Sequence, residues 1–138
     1  MRNLIIVSVG VICLASAGVA KVGTPEKQIE SLVEQLKSEK RGTALQDFFA
    51  GTLLEAQKQA YVKAMDAQAG GAWAIYGHPL EYEVSEKTEM GKSLIRIKWI
   101  TKHKDDMPLF WNALFYRRAG SWEPLTVLFY DDPAKAGF

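Results

Sequence analysis

Three turn signals cut the stretch from Leu80 to Tyr130 into four segments that alternate apolar and polar residues, and this constrains the fold more than any other feature. A period of two belongs to strands with one face buried. The turns centre on Met90-Gly91, Asp105-Asp106 and Ala119-Gly120, which predicts strands near 80–88, 93–103, 108–117 and 122–130 in an antiparallel meander. Eleven of the 15 aromatic residues fall between Trp73 and Tyr130, as expected of strands that bury large rings.

Two-residue turns at these centres fix a register, and the register sorts side chains onto two faces. Trp99 is then expected opposite Asn112, Ile97 opposite Leu114, Asn112 opposite Val127, Tyr82 opposite Trp99 and Glu83 opposite Lys98. One face collects Leu80, Tyr82, Val84, Ile95, Ile97, Trp99, Phe110, Leu114, Leu125, Val127 and Phe129, and helices are expected to dock there. The other face mixes Arg96, Lys98, Lys102 and Arg117 with Ile100, Trp111, Phe115, Trp122, Leu128 and Tyr130. Basic side chains lying over rings account for part of such a surface. Aromatic residues and arginine are also enriched where proteins meet, which predicts a homodimer with Arg96, Trp111, Phe115, Trp122 and Leu128 at its interface.

Upstream the period is helical. Thr24-Pro25-Glu26 offers an N-cap, a first-turn proline and an acidic first turn. Ile29, Leu32, Val33 and Leu36 come next on one helix face, and Gly42 is the expected stop. A short helix over Thr43–Ala50 succeeds it. Thr52-Leu53-Leu54-Glu55 is a capping-box pattern opening a third helix, expected to stop at Gly70-Gly71. Helices first and a meander afterwards give an α+β fold, with N-terminal helices on a curved four-stranded antiparallel sheet.

The first 20 residues have the order of a secretory signal: Arg2, an apolar run from Leu4 to Leu14, then small residues ending at Ala17 and Ala20. Cleavage is expected after one of those alanines, leaving a single periplasmic or secreted domain over 21–138. Cleavage removes Arg2 and no acid, so 16 basic and 16 acidic residues remain and nothing favours a nucleic-acid partner. It also removes Cys13, the only cysteine. A chain of this size can bury enough apolar surface without disulfides. Retention of the segment would instead make this the periplasmic domain of a membrane-anchored envelope assembly.

Among polar residues Asn112 is the most informative, since the expected register sets it among Tyr82, Trp99 and Val127 on the apolar face. A buried amide needs a partner. A structural hydrogen bond supplies one; so does a ligand in a pocket lined by Tyr82, Trp99 and Asn112. His78 and His103 lack the converging ligands of a metal site and are expected at the surface. No cofactor motif is present. Glu86 and Glu123 are placed to flank Ile95 and Tyr116, the thin basis for a carboxylate-using enzyme.

The order of elements, with Pro79-Leu80-Glu81-Tyr82-Glu83-Val84, Pro108-Leu109-Phe110-Trp111 and Gly120-Ser121-Trp122-Glu123-Pro124-Leu125 in the meander, resembles the nuclear transport factor 2-like (cystatin-like cone) superfamily, in particular small exported bacterial members. The resemblance spans about Thr24 to Asp132. It implies a cone-like sheet wrapping helices, an internal cavity and pairing through the sheet's outer face. Some relatives are isomerases or dehydratases, while others only bind ligands or partners. No catalytic residue carries over. Pro124 departs from a regular ladder and calls for an edge strand or a bulge. The expected role is therefore a binding or interaction module for a small apolar ligand or an envelope protein. The alternative is a small isomerase, dehydratase or hydrolase using Glu86, Glu123 or His78 beside Trp99.

Overall fold

A computed structural model describes residues 23–38 and 42–138. The signal segment expected at 1–20 lies outside these residues, and the helix expected to stop at Gly42 ends earlier, at Lys37, where Ser38 turns extended with ψ 176°.

Helix α1 spans Pro25–Lys37, and the Thr24 hydroxyl caps it by accepting from the Lys27 N–H. Its buried stripe is Ile29, Leu32, Val33 and Leu36, as the spacing predicts. Helix α2 (Ala44–Phe49) buries Leu45, Phe48 and Phe49. Helix α3 (Leu53–Gln57) opens on Thr52, whose hydroxyl accepts from the Glu55 N–H, while the Glu55 carboxylate reaches back to the Gly51 N–H at 2.6 Å.

The third expected helix divides in two. Lys58 leaves helical geometry at φ −136°, and α4 then runs from Gln59 to Tyr76, straight through Gly70-Gly71. Glycine in a helix interior costs about 1 kcal/mol relative to alanine. That is less than the gain from seating Trp73 and Tyr76 on the core, so the helix continues until Gly77 turns it with φ +72°.

The sheet contains β1 (Glu81–Met90), β2 (Leu94–Lys102), β3 (Pro108–Arg118) and β4 (Ser121–Tyr130), antiparallel in the order β1-β2-β3-β4. The helices pack on one face of this curved sheet, so the fold is α+β as expected.

The register differs from expectation at each hairpin. Between β2 and β3 the chain makes a three-residue loop centred on Asp105, with Asp105 and Asp106 both left-handed at φ +60° and +57°. Aspartate tolerates that region better than most residues. The extra loop residue slips β3 by one, so Trp99 faces Trp111 and every β3 side chain changes sides. Leu109, Trp111, Ala113 and Phe115 therefore point inward, while Phe110, Asn112 and Leu114 point outward.

The Ala119-Gly120 turn is the expected two-residue type, with both residues at positive φ. A bulge then intervenes, for Phe115 pairs with Pro124 but Leu114 pairs with Thr126. Proline cannot donate to the ladder, and β4 is an edge strand, so the bulge falls where Pro124 interrupts pairing. It restores Val127 and Phe129 to the inner face.

In β1 the turn is Gly91-Lys92-Ser93, and Tyr82 pairs with Thr101 and Val84 with Trp99. Ser85 is an inserted bulge residue whose hydroxyl donates to the Lys98 carbonyl. Beyond it Lys87 and Glu89 take the inner row, and Lys87 pairs with Glu26 of α1. Glu86, not Glu83, faces Lys98. No described helix covers the start of β1, so Leu80 and Val84 lie on the expected face yet stay 54% and 46% exposed.

The core centres on a row of rings across three strands. Trp99 and Trp111 stack at 5.4 Å, Trp111 and Phe129 at 4.7 Å, and Trp73 from α4 lies over Trp111 and Phe129. Cross-strand aromatic neighbours each add roughly 0.5–1.5 kcal/mol beyond their burial.

Candidate functional site

The expected pocket of Tyr82, Trp99 and Asn112 does not form. Trp99 is fully buried in the ring row and Tyr82 is half-buried at the edge of the core. Asn112 stands on the opposite face, turned there by the slipped register. Its amide donates to the Ala136 carbonyl at 3.0 Å, pinning the C-terminal segment across the outer face. Ala136 is buried beneath that fold-back, and Phe138 meets Phe110 edge-on with Lys98 over its ring.

The expected interface residues also separate. Trp111 and Phe115 are core residues at 0% exposure and cannot meet a partner. Trp122 is half-buried on the inner face, opposite Arg117. Arg96 and Leu128 remain on the outer face, Leu128 exposed and Arg96 half-buried. The carboxylate arrangement is absent as well. Glu86 is exposed on the outer side, and His78 is exposed, as expected, in the connection to the sheet. Glu123 faces Tyr116 as expected, but it is buried in a bidentate pair with Arg118 at 2.6 and 2.9 Å. None of these three acids and bases stands beside Trp99.

His103, expected at the surface, is 1% exposed because the three-residue loop folds it under α4. Its Nδ1 lies 2.9 Å from the Gly77 carbonyl, which can only accept, so Nδ1 carries the proton. Nε2 then accepts from the Thr101 hydroxyl at 2.8 Å, and that hydroxyl accepts from the Trp111 indole N–H. Burial pushes the His103 pKa down, and this chain of bonds is complete only for the neutral ring. Trp73 stacks on the imidazole. With both nitrogens occupied, His103 holds α4 to the sheet and offers no free base. Burying polar groups this way shows no alternation signal in sequence, though the odd-numbered run Thr101, His103 beside Trp111 emerges from the correct register.

Among the described residues, four clefts stand out, and none is lined by Trp99 or Asn112. The largest, about 310 Å³, opens at the end of the inner face beyond α1. Its walls are Glu89, Ile95, Arg117 and Trp122, all on the inner row, with Gly91 and Lys92 from the first turn. The Arg117 guanidinium lies 6.0 Å from the Trp122 ring centre, which holds the indole as one wall. Gln28 of α1 fixes the same strand by donating to the Trp122 carbonyl at 2.8 Å. Neighbouring charges are paired, as in Lys87–Glu26 and Lys98–Glu86. Glu89, Lys92 and Arg117 make no ion pair with any described residue.

No family model matches this chain, and neither does any curated protein or solved structure. The cleft must be read from its own residues. Its apolar wall of Ile95 and Trp122, ringed by a few charges, has the composition of a small-molecule site. Among the described residues no group of histidines, cysteines or acids could hold a metal, and no helix is long and apolar enough to cross a membrane.

Proposed function

We propose that the protein is an exported binding module that holds a small, partly apolar ligand at the open end of its inner sheet face. The observation that carries this reading is the 310 Å³ cleft, where Ile95 and Trp122 meet three charges that form no ion pair with any described residue. The ring row fills the middle of the inner face, so the ligand site lies at its mouth instead of beneath the helices. A cone of the nuclear transport factor 2-like kind, cleaved after Ala17 or Ala20, fits the same reading.

Native mass spectrometry of protein purified gently from the exported fraction tests it. Cleaved chain carrying a small-molecule adduct, lost on Trp122→Ala, is the expected result. Cleaved chain that stays empty when challenged with L-phenylalanine and its singly charged analogues overturns it.

A second reading is pairing of two copies through the outer face, favoured by the exposure of Leu128, Tyr116 and Phe138 there. Leu128→Glu is expected to convert a dimer to a monomer in the same spectrum. A wild-type chain that is monomeric at 50 μM ends this reading.

A further inference from the structure

We propose that the cleft takes a zwitterion, specifically a free α-amino acid with an apolar side chain; this rests on the proposed binding role and narrows it to a ligand class. Three observations converge. The first is the mixture of charge: one carboxylate, Glu89, and two cations, Lys92 and Arg117, none in an ion pair with any described residue, line one small space. A ligand that is only an anion meets Glu89, and one that is only a cation meets Lys92 and Arg117. A ligand bearing both charges on adjacent atoms satisfies all three, and such mixed sets reject singly charged competitors.

The second is placement. Glu89 sits on β1 opposite Ile95 of β2, and Arg117 on β3 opposite Trp122 of β4. Acid and guanidinium therefore rise from opposite sides of the Ile95 floor. The ligand's ammonium is directed to Glu89, and its carboxylate to Arg117, whose planar fork suits a bidentate carboxylate contact. Lys92, on the turn, adds a second positive charge on the carboxylate side.

The third is size and floor. An enclosed 150 Å³ cavity accommodates benzene. A cleft of about 310 Å³ has room for roughly a dozen non-hydrogen atoms by the same measure, the size of phenylalanine. Ile95, 6% exposed, and the Trp122 ring give the side chain its apolar seat.

Isothermal titration at pH 7 with three ligands of one skeleton tests the assignment: L-phenylalanine, 3-phenylpropanoate without the ammonium, and 2-phenylethylamine without the carboxylate. Phenylalanine is expected to bind at least tenfold more tightly than either analogue. Glu89→Gln should remove its advantage over 3-phenylpropanoate, and Arg117→Gln its advantage over 2-phenylethylamine. Both side chains are exposed, so circular dichroism should show both variants folded. If 3-phenylpropanoate or 2-phenylethylamine binds as well as phenylalanine, the zwitterion assignment fails while the binding role stands. If none of the three binds at 10 mM, both fail.

Discussion

The Trp111 indole nitrogen donates to the Thr101 hydroxyl at 2.8 Å, and this contact joins the middle of the ring row to the buried imidazole of His103. Thr101 serves both neighbours at once, accepting from one and donating to the other. Thr101→Val keeps the shape but leaves the indole N–H and His103 Nε2 without partners. A loss of about 2–4 kcal/mol is expected from two unmet polar groups in the core. Thr101→Ser should stay within about 1 kcal/mol of wild type, the worth of one methyl. Urea unfolding at pH 7 reads both.

The same network makes stability fall with acidification. The His103 pKa is lowered in the folded chain by burial, whereas the unfolded ring titrates near its ordinary value of about 6.5. Below that pH the unfolded chain takes up a proton that the folded chain refuses. Stability should therefore be full above about pH 7 and decline by up to about 1.4 kcal/mol per pH unit below 6.5, until the folded pKa is reached. Urea midpoints between about pH 7.5 and 5 should show the decline in wild type and a flatter profile in His103→Gln. The window closes near pH 5, where carboxylates begin to contribute.

Gly70 and Gly71 lie in the interior of α4, with nothing within 4 Å of where a Cβ would stand and no positive φ. Alanine at each should stabilise by about 0.5–1 kcal/mol, chiefly by restricting the unfolded chain. Thermal unfolding of the double variant should move upward by several degrees. A fall would mean that α4 bends at this pair.

How much of the fold is legible in the sequence depends on which residue is asked. The amphipathic face of α1, the Thr52 cap and the four strands come from period and capping chemistry alone. The faces of β3 do not, because both of its alternating sets carry large apolar residues: Leu109, Trp111 and Phe115 on one, Phe110 and Leu114 on the other. Only the loop length decides between them, and two consecutive left-handed aspartates are a tertiary outcome that the dipeptide itself does not announce. Val127 and Phe129 reach their expected face only because two departures cancel, the slip at Asp105 and the bulge after Pro124. The cleft is out of reach of the sequence for the same reason, since Arg117 and Trp122 join Glu89 and Ile95 only in the observed register.

Asn112 finds the partner that a buried amide requires by holding the C-terminal segment. Gly137 approaches it closely, at φ +79° with 3.2 Å between a would-be Cβ and the Asn112 amide nitrogen. Gly137→Ala should detach residues 133–138 from the outer face, as should Asn112→Leu. Limited proteolysis is expected to trim this segment in both variants faster than in wild type, with the remainder of the domain intact.

Arg118 and Glu123 should respond unequally to removal. The Glu123 side chain is 4% exposed and the Arg118 side chain 45% exposed. Arg118→Met strands a carboxylate in the interior, whereas Glu123→Gln leaves a guanidinium that water can reach. The unfolding midpoint is expected to drop further for Arg118→Met; equal drops would mean the carboxylate is solvated.

Ser85 contributes little through its own side chain, yet it sets the orientation of the rest of β1. As the spare residue of the bulge, it determines whether Lys87 and Glu89 or their neighbours Glu86 and Thr88 take the inner row. An in-frame loss of that single codon would therefore leave Glu86 against Lys98 and Lys87 against Ile97, a regular ladder with its faces unchanged. A codon gained between Ser85 and Glu86 would instead set Lys87 away from Glu26 and take Glu89 out of the cleft, although neither residue had mutated. For this protein a substitution-by-substitution survey of β1 would miss the change that matters most, because the information there is carried by count as much as by identity.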